Sequence, residues 1–380
     1  MAQFIDRLTL RNYKSIEECD LELASVAIFL GRNGAGKSNI VDALDFVSNA
    51  LYVSLENAVR DRGGIEAIRT RSRFGRPRDV EIALSFRVRP NRHATYSFRL
   101  APDKNRGYVV RNESCHIVSR TGEARGHFIV ENGKVVDASF DIADRIVPDR
   151  LYLALASSFP RFRRAFNVLS RMASYNLDVA EIRAPQVHDV GNALYSDGSN
   201  LASVITQMQK SFPERWDAVQ AYLTAIVPDL VAVRPSYVGS RVDLEFEQRI
   251  PGGTATFSSL SMSDGTLRAL AVLTALFQES SESADAVNVI ALEEPEMALH
   301  PGGTQTLFDA IMEASEDKQV LITSHSPDLL DRKGLDIDAL YSVEIQEGRT
   351  AISKMSDVTK TVVRDHLYTP GQLFRMGQLK

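Results

Sequence analysis

The chain has 380 residues, 44% of them hydrophobic and 24% charged, which is enough to bury a sizeable core in about two to three domain-sized units or in one large domain with insertions. A formal net charge of −5 gives no bulk support for wrapping a polyanion, so any nucleic-acid contact has to come from a local patch. Cys19 and Cys115 form neither a disulfide framework nor a spaced metal motif, the N-terminus lacks a signal-peptide pattern, and no stretch reaches the roughly 18 uninterrupted apolar residues of a membrane span, so a soluble, cytoplasmic protein in a reducing compartment is expected.

In chain order, residues 4–30 alternate and then turn apolar, which predicts two or three strands, the last (Val26–Leu30) fully buried. Gly31–Ser38 is a glycine-rich turn, and Ile40, Val41, Leu44, Val47 and Leu51 at helical spacing predict a helix over 39–55. Residues 60–78 are irregular and carry arginines at 60, 62, 69, 71, 73, 76 and 78. Alternation at 80–88, 94–100, 107–118 and 127–139, with turns such as Glu131-Asn132-Gly133, predicts an inserted antiparallel meander. Residues 150–175 read as helical and Leu177–Ile182 as a short strand. Leu201–Ile226 reads as helical, 241–247 as a strand, and Pro251–Ser263 as a Gly/Ser-rich turn region. Gly265–Phe277 is an apolar helix, Val287–Leu292 a buried strand bounded by carboxylates, Gly302–Ala314 a helix, and Gln319–Thr323 another strand. A strand pair (Leu340–Ile345, Thr350–Lys354) and a helix near 358–367 close the chain. No internal repeat or heptad run is present.

Four elements carry chemistry. Gly31-Arg32-Asn33-Gly34-Ala35-Gly36-Lys37-Ser38 fits G-x-x-x-x-G-K-[ST], a loop whose glycines let the backbone curl its N–H groups inward around an anion at a helix N-terminus. Lys37 would reach the β- and γ-phosphates and Ser38 the magnesium. Glu293 and Glu294 end the apolar strand; either they are a solvated strand cap, or the turn there lets both line one cleft, with Glu293 holding magnesium and Glu294 acting as general base on water. Gln319–Ser326 is a buried strand ending in His325. A lone histidine is usually structural; here its place at a strand end suits contact with a γ-phosphate. Ser263-Asp264-Gly265 opens a helix, a weak signal that is either an ordinary N-cap or a second anion site.

Taken together, these elements resemble the ABC-type ATPases, and within them the RecF, SMC and OLD (overcoming lysogenization defect) branch. Ser38-Asn39-Ile40-Val41-Asp42-Ala43 is similar to the branch's GKSN-I-x-D-A continuation, and Leu8–Ser15 to its opening L-x-N-F-K-S strand. Ser263-Asp264-Gly265-Thr266 sits where the signature S-G-G-Q/E sits, and Glu293-Glu294-Pro295-Glu296-x-x-Leu299-His300-Pro301 resembles E-E-P-E-x-x-L-H-P. The likeness is specific over 1–50 and 255–330 and loose between, although Asp197-Gly198-Ser199-Asn200-Leu201 resembles a recurring segment of the branch. Asp264 departs from the first signature glycine and Glu293 from the more usual aspartate.

The resemblance implies an α/β P-loop NTPase fold of ABC type, with a mixed central sheet, an inserted antiparallel β meander and a helical lobe. It implies ATP held by Asn33, Gly34, Ala35, Gly36, Lys37, Ser38 and Asn39, with magnesium on Ser38, Glu293 and Gln186. Glu294 and His325 would be catalytic, and Ser263 and Gly265 would act in trans across a homodimer or higher oligomer, with His300 in the loop between the two sites. The expected layout is a first ATPase lobe over 1–150, a helical lobe over 151–260, a signature-bearing lobe over 261–335 and a C-terminal piece over 336–380.

With no heptad run between Lys37 and Glu293 an SMC-type arm is not expected. The stretch after His325 is short for the toprim nuclease of OLD proteins, so the effector is expected to be a separate chain, a nuclease, in bacterial defence or genome maintenance. The competing reading is a RecF-like DNA-binding repair ATPase holding phosphates with the Arg60–Arg78 patch and with Arg161, Arg163 and Arg164. A transporter subunit, with a membrane partner, fits the GKSN continuation and the large middle insertion poorly, and a kinase or GTPase leaves Ser263–Gly265 and the His325 strand unexplained.

Overall fold

A computed structural model describes residues 2–71, 78–89, 92–119, 121–140, 149–279, 287–332 and 334–379. The chain divides into two compact units, one built from 2–172 and 341–354, the other from 173–340 and 355–380.

The first unit opens with β1 (Ile5–Tyr13), β2 (Ile16–Glu22) and β3 (Val26–Leu30). All five residues of β3 are buried. It runs into the glycine turn and α1 (Lys37–Asn49), which continues as a π-helical turn over Ala50–Ser54 and then α2 (Leu55–Arg60) and α3 (Ile65–Ile68). The meander follows as β4 (Val80–Arg89), β5 (Arg92–Asp103), β6 (Gly107–Ser119), β7 (Ala124–Glu131) and β8 (Lys134–Ala138). The meander shares its sheet with the opening strands. β1 pairs antiparallel with β4, with Leu8 opposite Leu84, so β2-β1-β4-β5-β6-β7-β8 form one seven-stranded sheet.

Strict alternation explains how that sheet is covered. Leu8, Leu10, Ile82, Leu84, Tyr96, Phe98 and Phe128 all face one side and are buried. Phe46 of α1 meets Tyr13 and Phe98 on that face, with ring centroids 6.1 and 6.2 Å apart. The region expected to be helical over 150–175 is α4 (Tyr152–Ala156) and α5 (Pro160–Ser170), followed by β9 (Met172–Tyr175). Phe162 and Tyr152 pack on Phe128 at 5.6 and 4.8 Å.

In the second unit, Leu177–Ile182 is not a strand. Asp178 accepts from the Ala180 N–H at 2.8 Å and so caps a helix, α6 (Val179–Arg183). A short β10 (Gln186–Val187) precedes α7 (Leu201–Ser211) and α8 (Pro213–Ile226), the expected single helix being broken at Phe212 because it precedes a proline. β11 (Leu230–Val238), β12 (Arg241–Ile250) and β13 (Gly253–Ser258) form antiparallel ladders, so the Gly/Ser-rich region contains a strand rather than turns alone. α9 (Asp264–Phe277) is buried at every residue from Thr266 to Phe277. β14 (Val289–Glu293) and β15 (Gln319–Ser324) pair in parallel around α10 (Pro301–Ala314) in the chain, Glu293 opposite Thr323. Pro327–Leu330 adds a helical turn. The chain re-enters the first unit as the antiparallel pair β16 (Leu340–Gln346) and β17 (Arg349–Lys354), with β17, β16 and β3 in that order in one sheet. It ends in helices Asp357–Arg364 and Pro370–Arg375. No helix among the described residues is long and apolar enough to cross a membrane.

Candidate nucleotide site

The phosphate loop lies between β3 and α1. Gly34 and Gly36 have φ of 79° and 96°, left-handed values that let successive N–H groups turn toward one concavity. Gly36 also has no room for a side chain, because a Cβ there would lie 2.1 Å from Thr350 Oγ1. Gly31 packs against β16 so closely that a Cβ would meet the Val343 carbonyl at 2.2 Å. Lys37 is buried, and its Nζ donates to the Gly31 carbonyl at 2.8 Å and the Arg32 carbonyl at 3.3 Å. Asn33, Gly34 and Ser38 are exposed on the rim, while Ala35 is buried.

The loop is braced from outside. Thr350 of β17 donates to the Ala35 carbonyl at 2.9 Å, its hydroxyl lies 2.6 Å from that of Ser15, and Asn39 Nδ2 donates to Ser15 Oγ at 2.6 Å. Ser15 belonged to the opening-strand pattern; Thr350 carried no sequence signal.

The carboxylates sit in the other unit. Glu293 is half-buried at the end of β14. Glu294 is a non-glycine residue at φ 46°, with its N–H bonded to the Thr323 carbonyl at 2.9 Å. That left-handed step is the turn that re-aims the second carboxylate. Its Oε1 lies 2.9 Å from His325 Nδ1, so an Nδ1–H donates to it. Glu296 is buried. Its Oε1 accepts from Ser324 Oγ at 2.5 Å, its Oε2 has no partner, and burial raises its pKa. Ser324 Oγ in turn accepts from the Ser326 N–H at 3.0 Å, so Glu296 fixes the turn that carries His325.

The N-terminus of α9 joins this cluster. Ser263 caps it, accepting from the Thr266 N–H at 3.2 Å. A Cβ on Gly265 would meet the Ala298 carbonyl at 2.4 Å, so the loop after Glu296 lies directly on the signature turn. Arg268 is buried on α9, and its guanidinium donates to the Leu177 carbonyl at 3.1 Å and the Glu294 carbonyl at 3.5 Å. Burial lowers its pKa against the opposing pull of Glu294 and Glu296. His300 caps α10, its Nδ1 accepting from Gly302 N–H at 3.2 Å.

Two expectations change. Gln186, expected at the metal, has its amide engaged by backbone: its Nε2 donates to the Gly198 carbonyl at 3.1 Å and its Oε1 accepts from the Ala202 N–H at 2.8 Å. It clasps the Asp197–Asn200 turn to α7. Within the Arg60–Arg78 patch, four of the described arginines are paired with carboxylates. Arg62 is largely buried between Asp42 and Asp45 at 2.8 and 2.6 Å, and Arg60, Arg69 and Arg78 pair with Asp61, Glu66 and Glu17. Arg71 is exposed, and Arg73 and Arg76 lie outside the described residues. Arg161 donates to the Ser139 carbonyl at 3.2 Å, while Arg163 and Arg164 are exposed. Arg183, Arg268, Glu296 and Thr350 are site neighbours with no role assigned from sequence pattern; of these only Glu296 stood inside one of the motifs.

Residues 26–331 match the protein family described as "AAA domain, putative AbiEii toxin, Type IV TA system". The chain is similar to the Old nuclease of Escherichia phage P2, 21% identical over 350 residues that make up 86% of this chain and 57% of that protein. It is likewise similar to the OLD nuclease of Thermus scotoductus (strain ATCC 700910 / SA-01), 21% identical over 382 residues, covering 92% and 66%. It is also similar to the DNA replication and repair protein RecF of Corynebacterium jeikeium (strain K411), 34% identical over 94 residues, 24% of this chain and 22% of that protein. The chain thus spans less than two thirds of each of these relatives. Among solved structures, an SMC head bound to the C-winged helix domain of ScpA superposes with a TM-score of 0.55 at 16% identity, covering 93% of this chain and 98% of that one. The SMC head with an extended coiled coil bound to the C-terminal domain of ScpA, from Pyrococcus furiosus, gives 0.53 at 12% identity, covering 96% and 100%. These likenesses show the P-loop ATPase fold of ABC type.

Proposed function

This chain belongs to that AAA domain family, within the ABC-type ATPases of the RecF, SMC and OLD branch, and from that membership we propose that it hydrolyses ATP between two copies of itself and uses the cycle to govern a separate nuclease effector. The observation that carries the catalytic part is the Glu294–His325 contact at 2.9 Å, built on a left-handed residue at the end of a buried parallel strand. A non-glycine residue in that region costs on the order of 1–3 kcal/mol and persists where the surroundings impose it.

The residues divide the work by chemistry. The N–H groups of the loop through Asn33, Gly34, Ala35 and Gly36, with Lys37, cradle the phosphates, and Asn39 ties the start of α1 to Ser15. The Ser38 hydroxyl and Glu293 carboxylate are hard oxygen donors of the kind magnesium takes alongside phosphate and water, and among the described residues no His, Cys, Asp and Glu cluster is built to hold a metal by itself. A magnesium ion held by Ser38 and Glu293 would supply charge neutralisation to the bound phosphates. Glu294 takes the proton of the attacking water as its oxygen bonds to the γ-phosphorus and the bond to the bridging oxygen breaks, giving ADP and phosphate. His325, oriented by Glu294 and by the Ser324–Glu296 bond, contacts the γ-phosphate. Ser263 and Gly265 present the N-terminus of α9 to nucleotide held by the partner copy.

The effector is named by analogy with the two OLD nucleases. The pairing of Arg60, Arg62, Arg69 and Arg78 with carboxylates weighs against the DNA-clamp reading, most firmly at the buried Arg62. The test is turnover and mass in solution. E294Q is expected to lose on the order of 10²–10³ in kcat, the scale of one preorganised catalytic group, and to accumulate as an ATP-bound dimer by light scattering. Wild-type turnover in E294Q would remove Glu294 from the chemistry. Material retained with ATP-loaded E294Q should cut nucleic acid, and its absence of nuclease activity would end the effector assignment.

A further inference from the structure

Asp264 occupies the first turn of α9 between Ser263 and Gly265, with its side chain two-thirds exposed. A carboxylate is favourable at a helix N-terminus facing water, because it answers the partial positive charge there. It is adverse where that same end has to receive a phosphate, because two anions then compete for one set of N–H groups. The signature pattern has glycine here, so this chain carries a negative charge at its own lid.

Arg183 answers that charge. It is the last residue of α6, and one arm of its guanidinium pairs with the Asp264 carboxylate. The other arm donates to the Met262 carbonyl at 2.6 Å and reaches the Leu260 carbonyl at 3.4 Å. Its own carbonyl accepts from Ser259 Oγ at 2.7 Å, which fixes its backbone to the same turn. Arg268, the other arginine nearby, is committed to the Leu177 and Glu294 carbonyls. One guanidinium therefore binds both the path of the chain into α9 and the charge at its start, a task suited to the planar fork of arginine.

We propose that Arg183 is the positioning residue of the signature turn, cancelling the charge of Asp264 and fixing the Leu260–Met262 backbone so that the N-terminus of α9 can receive a γ-phosphate. The proposal rests on α9 being the lid over nucleotide. Steady-state ATP hydrolysis with magnesium is measured for wild type, R183Q, R183K, D264N and R183Q/D264N, with thermal unfolding of each. Glutamine keeps a donor for the carbonyls and removes the charge; lysine keeps the charge and removes the fork. R183Q is expected to lower kcat on the order of tenfold with KM for ATP changed by less than about twofold, and the loss should deepen at low ionic strength. Adding D264N should return kcat to within about threefold of wild type, and R183K, which keeps the charge but loses the fork, should fall between R183Q and wild type. A double variant as slow as R183Q makes the role structural and overturns the proposal, as does an R183K as slow as R183Q. If R183Q does not fold, R183K decides alone, a tenfold loss overturning the proposal. A wild-type protein without ATP hydrolysis refutes the nucleotide reading instead, since no rate is then left to compare.

Discussion

Single positions in this protein are fixed by what cannot fit. Gly265 lies against the Ala298 carbonyl, so G265A has to displace either the signature turn or the loop after Glu296. G265A is expected to keep ATP binding within about threefold, since the phosphate loop is untouched, and to lose turnover by on the order of tenfold or more; nucleotide titration beside a turnover assay separates the two. Glu113 of β6 is a second case. It is fully buried, accepts from the Tyr152 and Leu153 N–H groups at the start of α4 and from Tyr96, and burial raises its carboxyl to about 7 from 4.5. The folded protein keeps a proton that the unfolded chain releases across that interval. The stability it contributes is therefore complete below the unfolded value and is lost as pH rises through about 7. Urea unfolding between pH 5 and 8 should show this decline. In E113Q the decline should flatten, and at acid pH the variant should be less stable by about 1–3 kcal/mol, because an amide N–H₂ then faces a backbone donor.

At the scale of elements, the phosphate loop is held by a strand far along the chain. Thr350 of β17 bonds the Ala35 carbonyl and Ser15, whose oxygen also receives Asn39 from α1. The curl of the loop is thus set by glycine dihedrals and kept by a hydroxyl network anchored in β17 and in the turn after β1. T350V preserves shape and removes the hydroxyl. It should weaken nucleotide binding by about 1–2 kcal/mol, near a tenfold rise in Kd, with little change in the kcat of saturated enzyme. An unchanged affinity in a fluorescent-nucleotide titration would show that the glycines suffice. Elements also explain the misread segments. Asp178 converted an apolar stretch into a capped helix, and Phe212-Pro213 split one helical pattern in two.

Across the whole molecule, each unit has its own core, and the sites they carry differ in chemistry: an anion cradle in one, carboxylates, histidine and a signature helix in the other. Nucleotide and dimer formation are expected to stabilise the fold together. At 100 times its Kd a ligand adds about 2.7 kcal/mol to the folded state. E294Q, which retains the ligand, should melt at a higher temperature with ATP and magnesium than wild type does, and the increment should grow with protein concentration if a dimer forms. A melting point indifferent to concentration would contradict the dimer.

The sequence alone determined the phosphate loop, the paired carboxylates and the strand-borne histidine, because each is a local pattern: glycines at fixed spacing, apolar runs of strand length, polar residues where those runs stop. It also determined most of the meander, through alternation of period two. Only the tertiary structure decided that Arg183 meets Asp264 across 81 residues of chain and Thr350 meets Ser15 across 335. It likewise decided that the meander continues from β1, that Gln186 serves a turn, and that Arg62 lies buried between two aspartates. Those outcomes depend on which distant groups burial brings within hydrogen-bond reach, and no short-range pattern records that choice.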